Sequence, residues 1–284
     1  MMKSAIALVF LACACAAPAS IPPTPEPEAL TLTWRTGGFA QPESVALSDD
    51  GGFLYVSNVN GEPDAKDGNG FISRLSVTGE MLQREWASGF DAPKGLLRSG
   101  DALYLTDIDQ IVALDARTGA VRTRTPAPGA RFLNDITETP GGLILASDSA
   151  TRRIYVLRNG AAEIWLEDPL LAAINGFLPE PNRLIVTTMQ GRLLAIDYQT
   201  RAITTLAEGL GDGDGVGALG QGRYLVSAWP GRILAVAADG THRVLLDTQA
   251  EPRYQNDFLL LGDTLYQAQM APGDVSAYRV TGIR

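Results

Sequence analysis

The chain has 284 residues, of which 45% are hydrophobic and 19% charged, the make-up of a folded globular protein rather than a disordered one. Its formal charge of −9, from 23 basic and 32 acidic residues, argues against nucleic acid or anionic lipid as a main partner. One histidine and two cysteines leave little room for histidine-based catalysis and none for a Cys-rich zinc site.

Residues 1–17 read as a signal peptide. Lys3 precedes an apolar run over residues 5–17 that ends in small residues, and the run is too short to span a membrane. Both cysteines, Cys13 and Cys15, fall inside it, so a disulfide framework is excluded. Either is a candidate for a lipid anchor, and cleavage after Ala14-Cys15-Ala16 is the alternative. Residues 18–29 form a proline-rich linker. An exported protein is expected, periplasmic or secreted, with no transmembrane span and as a monomer.

From residue 30 onward no helical apolar period is sustained. Short β-branched and apolar runs recur instead, at residues 53–57, 103–106, 143–146, 184–187, 224–227 and 265–268. Ahead of each run stands a polar residue that opens an apolar stretch: Glu43, Lys94, Asn134, Asn175, Asp214 and Asn256. These are spaced by 51, 40, 41, 39 and 42 residues. The longer first interval holds an insertion at residues 60–70. Behind each run comes a turn, at Thr78-Gly79, Thr118-Gly119, Asn159-Gly160, Thr200-Arg201, Asp239-Gly240 and Thr281-Gly282. Three markers in one register of about forty residues predict repeated units. The predicted fold is all-β: a six-bladed β-propeller of four-stranded antiparallel blades over residues 30–284. The last repeat runs out of chain after its third strand. Residues 30–35 are therefore expected to supply its outer strand and close the ring.

That topology places the six marker residues around one mouth of the central channel, with the loops between second and third strands on the same face. Asp148 and Trp229 lie in those loops. Carboxylate and amide oxygens converging there suit calcium, or another hard divalent cation, better than zinc or copper. Polar side chains that merely hydrate a channel mouth would have the same pattern, so ring position alone leaves both readings open. Residues 215–220 satisfy G-x-G-x-x-G, but no helix follows and a turn is expected. There is no G-x-S-x-G, and the only histidine, His242, follows a turn of the opposite face.

Glu43 after proline, Asn134 in Arg-Phe-Leu-Asn-Asp, Asn175 in Asn-Gly-Phe and Asp214 in Asp-Gly-Val together resemble the senescence-marker-protein/gluconolactonase/luciferin-regenerating-enzyme family. The resemblance spans all six repeats. It implies a calcium-dependent hydrolase that opens a sugar lactone or related ester, with Glu43, Asn175 and Asp214 as metal ligands. Asp214 would also be the general base, and Asn134 would orient the substrate. Arg131 is the counterpart of the family's substrate arginine, although it lies three residues before Asn134 where two is usual. Lys94, Asn256, Asp148 and Trp229 complete the expected substrate contacts. Lys94 would otherwise pair with a ring carboxylate and displace the ion. The competing expectation is a non-catalytic periplasmic propeller that holds a small ligand or protein partner through the same face.

Overall fold

A computed structural model describes Met1 and residues 28–283. The expected signal peptide, both cysteines and most of the linker lie outside the described residues. Strand β1 (Leu30–Gly37) comes first. Blade one follows as β2 (Pro42–Leu47), β3 (Phe53–Asn58), β4 (Gly70–Ser76) and β5 (Met81–Phe90), and blade two as β6 (Pro93–Ser99), β7 (Ala102–Asp107), β8 (Gln110–Asp115) and β9 (Val121–Pro126). Blade three is β10 (Leu133–Glu138), β11 (Ile144–Asp148), β12 (Arg153–Arg158) and β13 (Ala161–Glu167). Blade four is β14 (Ile174–Pro179), β15 (Arg183–Thr188), β16 (Leu193–Asp197) and β17 (Ile203–Ala207). Blade five is β18 (Asp212–Gly220), β19 (Arg223–Trp229), β20 (Arg232–Val236) and β21 (His242–Asp247). The chain ends in β22 (Gln255–Leu261), β23 (Thr264–Gln269) and β24 (Asp274–Val280).

Each blade is one antiparallel four-stranded sheet, and the sixth is completed by β1 in the order β1-β24-β23-β22. Leu30 faces Val280 and Gly37 faces Asp274, with a bulge between Leu32 and Trp34. The closure is also held by side chains. The Trp34 indole donates to the Val77 carbonyl of blade one at 3.2 Å. Glu28 pairs with both Arg223 and Arg243 of blade five. The first and last strands thus remove the edge that the incomplete sixth repeat would leave.

The core is a ring of six hydrophobic clusters, one at each junction between neighbouring blades. Leu103, Leu105 and Tyr55 fill the first junction, and Tyr266, Val275 and Trp34 fill the closing one. Alternation along the inner strands sends apolar side chains into these junctions.

All six innermost strands carry the same irregularity. The ladder slips at 42/45, 93/96, 133/136, 174/177, 213/216 and 255/258. A bulge at each marker residue sets two residues against one, turning the marker toward the channel. The second strands make this possible with hydroxyls. Thr187 accepts the N–H of Gly176 at 2.9 Å and donates to the carbonyl of Asp214 in the next blade. Ser227 does the same between Gly215 (2.8 Å) and Asn256 (2.7 Å). Ser57 and Ser147 accept from Ser44 and Asp135, both at 2.9 Å. In blades four and five one hydroxyl therefore satisfies its own bulge and fixes the height of the next ring residue. The residue after the marker must also stay small where the next blade presses in. A Cβ on Gly95 would lie 2.7 Å from the Asn134 carbonyl oxygen.

Candidate functional site at the channel mouth

All six marker residues line one cavity of about 200 Å³, and all are buried. Asn175, Asp214, Asn256 and Glu43 come from blades four, five, six and one, in that order, which are consecutive around the ring. They form an oxygen-rich half. Lys94 and Asn134, from blades two and three, form the other half.

Within the oxygen-rich half, Glu43 Oε2, Asp214 Oδ1 and Asn256 Oδ1 are buried without a hydrogen-bond partner among the described residues. Such orphaned acceptors are uncommon and call for an explanation. The Asn175 amide hydrogen-bonds the Asp214 carboxylate. Two further carboxylates sit one residue beyond the ring. Asp135 accepts the N–H groups of Ile136 at 2.7 Å and of Phe177, in the next blade, at 2.5 Å. Asp257 accepts the Ser44 hydroxyl of blade one at 2.6 Å. The channel therefore gathers four carboxylates against one ammonium, a larger excess of acid than the ring positions alone suggest.

Burial pushes the Glu43, Asp135 and Asp214 carboxyls well above the usual carboxylate range, and neighbouring acids push further: Asp214 and Asp257 on Glu43, Asp257 on both Asp135 and Asp214. Burial raises Asp257 to about 6, against the hydrogen bonds from Ser44 and the Phe258 backbone. Burial also lowers Lys94 to about 8, opposed by the field of Glu43, Asp107 and Asp64.

Lys94 makes no ion pair with a ring carboxylate. Its Nζ donates to the carbonyls of Pro63 at 2.8 Å and Ala92 at 3.1 Å, and lies 4.4 Å from the centre of the Phe132 ring. Pro63 belongs to the blade-one insertion, which reaches over to blade two at the mouth. The insertion is latched by Lys66 to Asp109 at 2.6 Å and by the Gly68 N–H to Asp91 at 3.1 Å. The ammonium holds that loop over the ring and leaves the carboxylates to other partners.

Asn134 lies in the cavity wall with its Nδ2 donating to Ser149 at 3.2 Å, and Ser149 in turn donates to the Ile174 carbonyl. Trp229 also lines the cavity, against Tyr254 with ring centres 4.7 Å apart. Arg131 and Asp148 are elsewhere. Arg131 is exposed and outside the cavity lining. Asp148 is fully buried, and its carboxylate accepts four backbone N–H groups, from Arg131, Phe132, Ala150 and Thr151. It shapes the loop entering blade three. Asp107 does the same for blade two.

Sequence reasoning missed Val59, Pro63, Phe132, Met189 and Met270, which form an apolar wall above the ring. Val59, Met189 and Met270 each follow the second strand of their blade at the repeat spacing, whereas Pro63 sits in the blade-one insertion and Phe132 ahead of β10, outside that register. His242 begins outer strand β21, exposed and away from the ring. Among the described residues no three His, Cys, Asp or Glu side chains gather as a metal cluster. At the channel mouth the ligand set is the mixed one of carboxylates and amides.

Solved structures share this architecture. A streptogramin B lyase is 14% identical with a TM-score of 0.64, over 89% of this chain and 98% of its own. A catalytically inactive histidine-to-alanine variant of virginiamycin B lyase from Staphylococcus aureus, with quinupristin, is 13% identical with a TM-score of 0.62, over 89% and 99%. A computationally designed protein is 11% identical with a TM-score of 0.51, over 86% and 97%. The likeness is one of fold. No family model and no curated protein matches the chain, so the family resemblance rests on the ring residues alone.

Proposed function

We propose that the protein is an exported, divalent-cation-dependent hydrolase that opens a lactone or related ester at the channel mouth. The observation that carries this reading is the set of three buried, unpartnered oxygens on Glu43, Asp214 and Asn256. Hard oxygen donors of mixed charge fit calcium, which accepts six to eight oxygens in irregular geometry. Glu43, Asp214 and Asn256 would hold the ion, with Asn175 adding its carbonyl or steadying Asp214. Asn256 is thereby read as a ligand as well as a substrate contact.

Bound there, a divalent cation would polarise the substrate carbonyl and favour the ionised form of its carboxylate ligands. The remaining chemistry belongs to the chain. Asp214 accepts a proton from an attacking water, whose oxygen bonds to the carbonyl carbon. The bond from that carbon to the ring oxygen breaks, and the leaving alkoxide takes up the proton held by Asp214, which gives a hydroxy acid and restores the carboxylate. Asn134, held by Ser149, retains a second amide hydrogen for the developing oxyanion. Lys94, through Pro63 and Phe132, keeps the blade-one loop over the site and limits water access.

The streptogramin and virginiamycin B lyases offer a different precedent. The inactive virginiamycin B lyase variant has lost a histidine. This chain's single histidine is on an outer strand, so its ring must work with carboxylates and amides.

The test is calorimetric titration of the purified protein with calcium, alongside a lactone and ester panel assayed with and without chelator. Micromolar calcium binding and chelator-sensitive turnover are expected. Calcium binding with no turnover would leave a ligand-holding propeller, and absence of both would remove the reading.

A further inference from the structure

The polar ring is only the floor of the cavity. Its wall is built of Val59 and Pro63 from the blade-one loop, Phe132 before β10, Met189 after β15, Trp229 at the end of β19 and Met270 after β23. Every one of these side chains is apolar or, for Trp229, mostly so. They come from five different blades, so the wall surrounds the mouth rather than covering one side. Part of it is rigid: Val59 is buried, in a small cluster with Ala92 and Ile108 against which Met270 packs. Part is open: Met189 is 36% exposed, which leaves an exit on the blade-four side. Two methionines in one wall adapt readily to apolar ligands of differing shape.

Volume and chemistry together limit what fits. About 200 Å³ is below the roughly 300–1,000 Å³ of pockets that enclose drug-sized ligands. The polar groups are confined to the floor, where the scissile carbonyl must lie. A polyhydroxylated ring would press its hydroxyls against carbon, and each hydroxyl leaves water without a replacement partner. An alkyl or aryl flank loses nothing and buries apolar surface.

We propose, resting on the hydrolase reading above, that the site takes a small lactone or ester with an apolar flank, such as an alkyl- or aryl-substituted lactone, and not a sugar lactone. The carbonyl end lies on the ring, and the flank lies between Phe132, Trp229 and Met270 with its tail leaving past Met189. A substrate of this class gives a hydroxy acid of mixed character, whose ionised carboxylate is repelled by the acidic floor and leaves through the open side.

The test compares γ-nonalactone and dihydrocoumarin with D-glucono-δ-lactone in the presence of calcium. In parallel, two unreactive probes report binding by tryptophan fluorescence and thermal shift: 2-pentylcyclopentanone, and the hydroxylated ring 1,5-anhydroglucitol. The expected kcat/KM is at least about a hundredfold higher for the apolar lactones, the scale on which an apolar pocket rejects added hydroxyls. The ketone should quench fluorescence in the wild type and not in Trp229→Phe, and the anhydroglucitol should do nothing. Met189→Gln, at an exposed position that leaves folding intact, should raise KM for γ-nonalactone several-fold with little change in kcat. A preference for gluconolactone, or equal binding of both probes, overturns the proposal. If the ketone binds selectively while no lactone turns over, the hydrolase reading fails and the apolar ligand class stands. If neither probe binds and nothing turns over, both fail.

Discussion

The two ends of the propeller are built from the same six repeats, yet their acids behave in opposite ways. At the turn end, Asp115, Asp197 and Asp239 each accept hydrogen bonds from a threonine hydroxyl and from backbone N–H groups of the same turn. Those bonds, with Arg122 first among the causes for Asp115, hold all three below the usual carboxylate range. At the ring end, burial drives Glu43, Asp135, Asp214 and Asp257 upward, and Glu43 and Asp214 keep oxygens that no described residue satisfies. The turn end is complete in itself. The ring end stores unfavourable electrostatics at one place, which is the usual mark of a site for a ligand.

Removing one ring acid separates the two ends most directly. Asp214→Asn keeps an oxygen in place but removes the charge and the proton acceptor. Lactonase turnover should fall by roughly 10²–10⁴, the size of a general-base contribution, while the melting temperature holds or rises because a buried acid is gone. Unchanged turnover, measured at saturating calcium, would reduce the ring to a structural feature.

Removing the strand that joins chain start to chain end is the next largest effect. A chain beginning at Gly37 loses the β1–β24 ladder, the Trp34 contact in the closing junction and the Glu28 ion pairs. Thermal unfolding should move down by tens of degrees or lose its cooperativity, since every junction depends on closure of the ring. A cooperative transition at the wild-type temperature would show that β1 merely decorates blade six.

Much of this contrast was readable before the structure. Spacing alone located all six ring residues and their opposite turns, because a repeated blade must place equivalent residues at equal intervals. The hydroxyls that build the ring were visible too, as Ser57, Thr106, Thr187 and Ser227 closing their apolar runs. Their bridging role was not, since it depends on the neighbouring blade. Asp148 was legible as a loop residue near the mouth, yet sequence could not tell an oxygen turned to substrate from one consumed by four backbone N–H groups. The apolar wall was hidden because Pro63, Phe132 and Met270 share neither residue type nor register. Lys94 needed the fold as well: its partners are carbonyls that no motif records.

The two ends respond to pH with opposite signs. The raised carboxyls of the ring favour the folded state at acid pH. Without calcium, that contribution is lost as pH rises from the ordinary carboxylate range, about 4, through the raised values, Asp257 at about 6 and the others beyond their usual range. The lowered turn acids work the other way: their contribution is present above the ordinary range and is lost as pH falls through their lowered values. With chelator present, the melting temperature should therefore decline between about pH 5 and pH 8. Calcium should remove that decline, and its affinity should rise with pH because it competes with protons for the same oxygens. A flat profile in chelator would contradict the burial-driven shifts.

Lys94 and Asn256 give a smaller effect on calcium alone. Lys94→Met removes the one cation from the cavity and should tighten calcium roughly tenfold, equivalent to about 1.4 kcal/mol of repulsion. Asn256→Leu removes one unpartnered oxygen and should weaken binding by a similar factor. Calorimetry on both variants separates a ring that cradles an ion from one that does not. If Lys94→Met leaves affinity unchanged and raises KM, the ammonium acts on substrate through the Pro63 loop.

The smallest expected change is at the turn end, and it is the control that gives the others meaning. Asp239→Ala deletes the carboxylate that accepts the Thr241 hydroxyl at 2.6 Å and its N–H at 3.0 Å. The turn keeps its Gly240–Ala237 backbone bond at 2.9 Å and the glycine whose positive φ the geometry requires. Side chain and backbone therefore specify the same turn, and losing one leaves the other in place. The melting temperature should shift by no more than about 2–4 °C, with turnover and calcium affinity unchanged. A loss of activity from this substitution, at a position on the far face, would mean that the two ends are coupled through the blades. The ring acids could not then be treated as a separate site.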